Sequence, residues 1–347
     1  VRRLILLGTG GTIATTDAPG GRRAGVSTAE LLAASRDVWT DPDVRVEARE
    51  LRRTVSFAAT VADALALAAA VREAARAADG VVVTHGTDTL EEAAFLLALG
   101  HDSAVPVVLT GAQRPFGVPG ADGPRNLAAA LRWAASDAAR GTGVTVAFDG
   151  RVWPATGVRK VSSLSPAAFA APGRGPLAEV DEAGVRPRAV PPRPRPLLTG
   201  RRTDLPRVDV VPQYLGADAA AVRAARDAGA RGVVIAGFGV GNATPGTVAA
   251  CRDLLREGIP VAVASRTGEG PVLGLYAGGG ADLAAAGALF AGDLSPWQAR
   301  LLLAAAIAAD PAAAPAAVVE RCETWLVEAG ALSRPAPSAR SLTAGPV

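Results

Sequence analysis

The chain has 347 residues, 49% of them hydrophobic and 20% charged, with a net charge of +3, which supplies a sizeable core for two ordinary domains and excludes intrinsic disorder. A pI near 9.4 comes with scattered arginines and only 4% aromatics, a poor match to a nucleic-acid-binding surface, and no apolar run reaches the length of a membrane span. Two cysteines without metal-ligand spacing and two histidines leave almost no material for a zinc site or for a Ser-His or Cys-His hydrolase.

Arg2 to Leu7 reads as a first strand, closed by the turn Gly8-Thr-Gly-Gly-Thr-Ile-Ala14. No signal-peptide region precedes it, and with so few cysteines the expectation is a reducing, cytoplasmic location, although a trimmed signal would leave the same text. The turn is not a dinucleotide fingerprint, because Ile13 stands where the third glycine belongs, and no Gly-Lys-Ser/Thr follows to make a P-loop. Its glycines allow backbone N–H groups to approach an anionic centre closely, with the Thr12 hydroxyl at the focus, as an oxyanion hole beside a nucleophile requires. A plain strand-ending turn has the same composition.

Thr15 to Ser27, with its Asp, Pro, Gly and Arg residues, reads as a mobile loop. A helix over 28–34, a strand over 44–51, Ser56-Phe57 and a long Ala-rich helix over 61–78 lead to the stretch Val81-Val-Val-Thr-His-Gly-Thr-Asp-Thr-Leu-Glu-Glu92. Here a β-favouring run passes through a tight polar turn straight into a helix that stops near Gly100. Thr89 is placed to cap that helix, and Glu92 three residues on to close a capping box. Thr87, Asp88 and Thr89 therefore stand at the carboxyl end of a buried parallel strand, where open α/β sheets bind ligands. A strand over 105–110 ends in Gly111-Ala-Gln-Arg-Pro115. Ala121-Asp-Gly-Pro-Arg-Asn126 then opens a helix to about Asp137, followed by a strand over 144–148 and an irregular segment containing Lys160.

From Pro187 to Pro206 the chain turns Pro/Arg-rich, without apolar period, and reads as an extended linker. Beyond it come strands over 208–211, 232–236 and 260–264, helices over 219–228 and 247–257, and closing helices over 296–308 and 315–329. Gly237-Phe-Gly-Val-Gly-Asn242 ends one of these strands. Strands and helices alternating at this spacing predict parallel α/β sheets. The expected division is an N-terminal α/β domain over 1–186, the linker over 187–206, a smaller C-terminal α/β domain over 207–332, and a disordered tail over 333–347.

One count is sharper than the rest: 35 of the 36 basic residues are arginine, and Lys160 is the only lysine. Arginine stays protonated, whereas a lysine shielded from water can exchange its proton with a neighbour. A lysine kept where arginine serves everywhere else points to a proton-handling task.

Gly8-Thr-Gly-Gly-Thr-Ile-Ala14 together with Thr84-His-Gly-Thr-Asp-Thr89 resembles the signature pair of the bacterial-type L-asparaginase (asparaginase/glutaminase) family. The likeness continues through Gly111-Ala-x-Arg-Pro115, Ala121-Asp-Gly-Pro124, the linker, the Gly237–Asn242 strand end and the stretch Gly292 to Leu302. It implies a larger N-terminal domain with a flavodoxin-like sheet, a smaller C-terminal α/β domain, a homotetramer or dimer, no metal or organic cofactor, and two-step hydrolysis of the side-chain amide of L-asparagine. Thr12 matches the family's nucleophile, and Thr87, Asp88 and Lys160 match its threonine–aspartate–lysine group. Ser56 and Asp88 match positions that hold the substrate's α-carboxylate and α-amino groups. Asn242 is the candidate for a residue lent by a neighbouring subunit, with Glu269 and Tyr276 behind it.

Two departures stand out. The family's tyrosine in the loop after the first signature is missing, since the only tyrosines are Tyr214 and Tyr276. That leaves Thr15, Thr16, Ser27, a water or Lys160 itself to assist Thr12. Phe57 stands where the therapeutic-type members have glutamine after the serine, and phenylalanine cannot hydrogen-bond a substrate ammonium. Three readings remain open: an amidohydrolase acting on L-asparagine; an asparaginase-like, ammonia-releasing subunit of a tRNA amidotransferase, disfavoured by a chain that starts on the first strand; and a non-catalytic amino-acid-binding paralogue.

Overall fold

A computed structural model describes residues 1–332; the expected tail over 333–347 lies outside the described residues. The large sheet has five parallel strands: β1 (Arg2–Gly10), β2 (Val44–Thr54), β3 (Gly80–Thr84), β4 (Val107–Thr110) and β5 (Val144–Phe148). It continues antiparallel through β6 (Arg151–Pro154), β7 (Ala178–Asp181) and β8 (Gly184–Pro187), in the order β8-β7-β6-β5-β4-β3-β1-β2. The sequence reading missed the last three, because short strands between turns carry little periodic signal. The parallel part runs 2-1-3-4-5, the flavodoxin-like order, and its direction of winding reverses between β1 and β3.

β3, with the sequence GVVVT, is buried at every position, as a central parallel strand covered on both faces should be. On one face, helices α1 (Thr28–Arg36) and α4 (Gly123–Ala135) pack over Leu4, Leu6, Val82 and Val108. On the other, α2 (Val61–Ala75) and α3 (Leu90–Ala98) cover Ile5, Leu7, Val81 and Val83. Register aligns the carboxyl ends of the strands: Gly8 pairs with Thr84, Thr84 with Thr110, and Gly10 with Thr54.

The smaller sheet is parallel throughout, with strands β9 (Val208–Pro212), β10 (Gly232–Gly237), β11 (Val261–Ser265) and β12 (Leu289–Phe290) in sequence order. The helices are α5 (Ala220–Asp227), α6 (Pro245–Arg256), α7 (Gly280–Ala285), α8 (Pro296–Ala309) and α9 (Pro315–Glu328). Of these, α7 and β12 escaped the sequence reading.

The two halves share a core. Phe95 and Leu96 of α3 and Leu99 just beyond it pack with α8 and α9, Phe95 meeting Trp325 edge-on at 5.4 Å. Arg300 of α8 reaches Glu92 at 3.1 Å. Gln298, wholly buried on α8, accepts the Gly157 N–H at 2.9 Å and donates to the Ala155 and Val158 carbonyls at 3.0 and 3.1 Å. One side chain thus satisfies three backbone groups of the segment that leads to Lys160.

Gln298→Leu keeps the volume and strands those groups in an apolar environment, at about 1–3 kcal/mol for each unsatisfied group. The expected result is a Tm lowered by several degrees, read by calorimetry. A Tm within a degree of the parent's would show that the three bonds add nothing.

Candidate active site

The first two signatures meet through backbone. Gly11 has φ +83°, open to glycine at little cost, and a Cβ there would lie 2.3 Å from the Gly86 Cα. A Cβ on Gly86 would lie 2.4 Å from the Ser56 hydroxyl. Three turns, after β1, β2 and β3, are therefore stacked in van der Waals contact at the point where the winding reverses. The Gly11 N–H is already engaged, donating to the Thr54 carbonyl at 2.9 Å. Thr12 follows in a short 3₁₀ turn, Thr12–Ala14, and is partly exposed.

The second turn is organised around Ser56. Its hydroxyl accepts the Asp88 N–H at 3.2 Å, and its carbonyl accepts the Thr89 hydroxyl at 3.1 Å. That bond corrects the expected capping box: Thr89 holds the cap position of α3, but its side chain makes no capping bond, and Glu92 is turned to Arg300. Both side chains serve tertiary contacts, which sequence spacing does not register. Buried His85 stays neutral, its pKa lowered mainly by burial, with Nδ1 2.8 Å from the Gly86 carbonyl.

Lys160 is not in an irregular segment as expected. It ends a two-residue strand, Arg159–Lys160, paired antiparallel with Phe169–Ala170, and Phe169 packs on Phe148 at the end of β5 with ring centroids 4.9 Å apart. From there its Nζ donates to the Thr87 hydroxyl at 2.8 Å and to the Asp88 carboxylate at 2.9 Å. Thr87 is buried, while the Asp88 side chain is 53% exposed and Lys160 21%. The group is closed toward the protein and open toward solvent.

Two contributors were passed over at the sequence level. Gln113, the variable position of its motif, accepts the Thr87 O–H at 3.3 Å and donates to the Ser165 and Ser162 carbonyls at 3.2 and 3.4 Å. Because its amide nitrogen faces two carbonyls, its oxygen must face Thr87, which sets the direction of that hydroxyl proton. Glu91 accepts the Lys160 N–H at 2.5 Å and is only 6% exposed. An acidic residue in a first helical turn normally faces solvent and the helix dipole, so nothing in the sequence marked it.

Other expectations meet mixed outcomes. Thr15 donates to the Thr12 carbonyl at 2.9 Å, and Ser27 is engaged in a capping box with Glu30, so both loop hydroxyls are already committed; Thr16 is exposed. The expected loop contains a short antiparallel pairing of Thr15–Thr16 with Arg23–Ala24. Phe57 is 75% exposed beside Ser56. Asn242, expected to serve a neighbouring subunit's site, accepts the Gly280 N–H through its side-chain oxygen at 3.1 Å within its own chain, at the start of α7. A cavity of about 500 Å³ reaches Ser56, Gly86 and Thr89 from behind, but Thr12, Thr87, Asp88 and Lys160 do not line it. Both cysteines are buried, and burial pushes their thiols up to about 12, which leaves them inert as nucleophiles. Among the described residues no group of three or more His, Cys, Asp or Glu is arranged to hold a metal.

The turn that bears Thr12 packs through Gly11 on the turn that bears Thr87 and Asp88, which Lys160 joins, at the switch point of a 2-1-3-4-5 sheet, where proteins of this α/β class bind their ligands. The family description "Asparaginase, N-terminal" matches residues 3–192, and "Glutaminase/Asparaginase C-terminal domain" matches residues 207–317. A "Probable L-asparaginase" of Deinococcus radiodurans is 37% identical over 307 residues, 87% of this chain and 91% of that protein. A "Glutaminase-asparaginase" of Pseudomonas fluorescens is 31% identical, covering 77% and 76%. The solved structure of a "Probable Cytoplasmic L-asparaginase" from Campylobacter jejuni superposes with a TM-score of 0.84 at 31% identity, covering 94% of this chain and all of that one. The chain belongs to the bacterial-type L-asparaginase family.

Burial raises the Glu91 carboxyl from its ordinary 4.5 to about 7, and the Lys160 N–H only partly offsets this. The folded state then holds a proton that the unfolded state releases, so this contribution is intact below pH 4.5 and lost as pH rises through 7. A shift of this size is worth ~3 kcal/mol. Melting curves at pH 5 and pH 8 should show Glu91→Gln gaining on the parent as pH rises; parallel pH dependence of the two would contradict the assignment.

Proposed function

We propose that the chain hydrolyses the side-chain amide of L-asparagine to aspartate and ammonia through an acyl intermediate on Thr12. It is an amidohydrolase. The observation that carries the mechanism is the placement of the only lysine, with Nζ between the Thr87 hydroxyl and the Asp88 carboxylate, on the turn packed against the one that bears Thr12.

With Lys160 as the neutral amine, the Thr12 hydroxyl oxygen adds to the amide carbon and its proton passes through Thr87 to the Lys160 nitrogen, which becomes the ammonium. A proton passes to the amide nitrogen, the C–N bond breaks, and ammonia leaves. Thr87 and Lys160 then take a proton from the water that adds to the ester, and collapse of that adduct returns Thr12 and releases aspartate. Half-exposed Asp88 pairs with the substrate ammonium while orienting Lys160. The Ser56 hydroxyl accepts the Asp88 N–H and keeps its own proton for the substrate carboxylate.

With Thr15 and Ser27 engaged elsewhere, the assistance that a loop tyrosine gives in relatives falls to Lys160, to a water or to Thr16. The reading extends to a homotetramer in which a neighbouring subunit completes the site with Asn242, Glu269 or Tyr276. Exposed Phe57, Leu215, Leu275, Tyr276 and Trp297 support it as apolar surface that association would cover. The division at residues 187–206 is supported by two family descriptions that meet the chain on either side of positions 193–206. A cytoplasmic location is supported by the Campylobacter relative's description. No helix among the described residues is long and apolar enough to cross a membrane.

Ammonia release from L-asparagine and L-glutamine, measured side by side, tests the reading, with turnover of asparagine expected. Folded protein that binds aspartate but is silent on both amides would favour a binding paralogue instead. Thr12→Ala and Lys160→Arg should each lower kcat by at least a thousandfold with native circular dichroism. An active arginine variant would refute proton exchange at Lys160, since it keeps the charge and loses the transferable proton.

A further inference from the structure

Lys160 is held at both ends by a single helix start. Its Nζ is met by Thr87 and Asp88, and its main-chain N–H by Glu91, in the first turn of the same helix. On the opposite side its neighbour Arg159 is fixed to the C-terminal half, donating to the carbonyls of Gly268 at 2.8 Å, Thr267 at 3.2 Å and Asp293 at 2.5 Å. A lysine side chain has four rotatable bonds, and unless its main chain is anchored its ammonium samples many positions. A carboxyl group is costly to bury, and glutamine or leucine would fill the place more cheaply. Its acid is satisfied there by one specific donor, the Lys160 amide.

We propose that Glu91 is a positioning residue of the amide hydrolysis, setting the reach of the Lys160 ammonium to Thr87 and Asp88 by anchoring the lysine's main chain. The assignment rests on the amidohydrolase reading and deepens it. Glu91 acts through Lys160 and touches neither substrate nor Thr12. A displacement of about 1 Å in a group that handles the reacting proton costs on the order of a hundredfold in rate. The effect belongs in kcat, because the proposed substrate contacts, Ser56 and Asp88, are anchored through the Asp88 N–H instead. The charged groups facing Glu91 are Lys160 and Arg159 from the short strand and Glu92 from its own helix.

Two measurements test it. In steady-state ammonia release, Glu91→Leu should lose at least tenfold in kcat with KM within about twofold. Glu91→Gln, which keeps an acceptor for the amide, should restore kcat to within about threefold of the parent. A leucine variant with parental kcat, or a glutamine variant as slow as the leucine one, overturns the proposal.

The second readout needs no turnover. Because Lys160 is the only lysine, protein grown on 15N-lysine shows one lysine backbone amide by NMR. In the full-length parent that signal should lie well downfield and shift with pH through a midpoint near the Glu91 value of about 7; in Glu91→Gln it should not titrate. An ordinary, pH-independent amide in the parent would mean that the anchor does not exist, whatever the kinetics. Parent protein that shows the titrating amide yet releases no ammonia would overturn the hydrolase reading and the catalytic purpose of the anchor together, leaving only the contact.

Discussion

The site depends on a contact with no side chains in it. Gly11 lies so close to the Gly86 backbone that a methyl group on Gly11 could not be accommodated without moving the chain, and one on Gly86 would meet the Ser56 side chain. Through that contact the turn after β1, carrying Thr12, and the turn after β3, carrying Thr87 and Asp88, become one surface. The parallel register of β1 and β3 brings the two strand ends level, and the reversal of winding between them leaves the space above free of a crossing connection. Ser56 closes the third side by bonding the Asp88 N–H and the Thr89 hydroxyl. Backbone packing of this kind is stiff, which suits a site whose chemistry requires reacting atoms to be held within a fraction of an ångström.

Lys160 reaches this surface from elsewhere, and its route accounts for much of the architecture between the two halves. The chain leaves β6 after Pro154, and three backbone groups over 155–158 are satisfied by Gln298 of α8. Arg159 is then bonded to carbonyls of the C-terminal half, and the short strand closes against Phe169 and Phe148. The C-terminal half therefore does more than bury α3 against α8 and α9. It holds the segment that presents the lysine. In this arrangement the stability of the interface between the halves and the placement of one ammonium group are the same physical matter.

Electrostatics in the site follows exposure. The carboxylate that meets the ammonium and would meet substrate, Asp88, is open to water on one side, whereas Glu91, one helical turn away, is enclosed and carries a raised pKa. Two acids so close in sequence thus sit in different surroundings: one accessible and bonded to the Lys160 side chain, one buried and bonded to a main-chain amide. Burial and partner decide between them, and residue type does not.

Much of this was legible in the amino-acid sequence. Apolar runs and glycine-rich turns gave the alternation of strands and helices, the two turns that bear Thr12 and Thr87–Asp88, and the Pro/Arg-rich stretch between the two halves, because strand burial and turn chemistry are local properties. The solitary lysine was visible as a count, and its chemistry follows from its type. What only the tertiary structure decided is which groups meet. Thr89 and Glu92 have the spacing of a capping box, yet each is claimed by a residue far along the chain, Ser56 and Arg300. Gln113 and Glu91 carried no mark in the sequence, and it is their bonds to Thr87 and to the Lys160 N–H that single them out. Asn242, at a strand end in the sequence, bonds the Gly280 N–H. In each case the choice rests on a hydrogen bond between segments distant in sequence, and such a bond depends on how strands and helices are stacked, a quantity that no local pattern of residues contains.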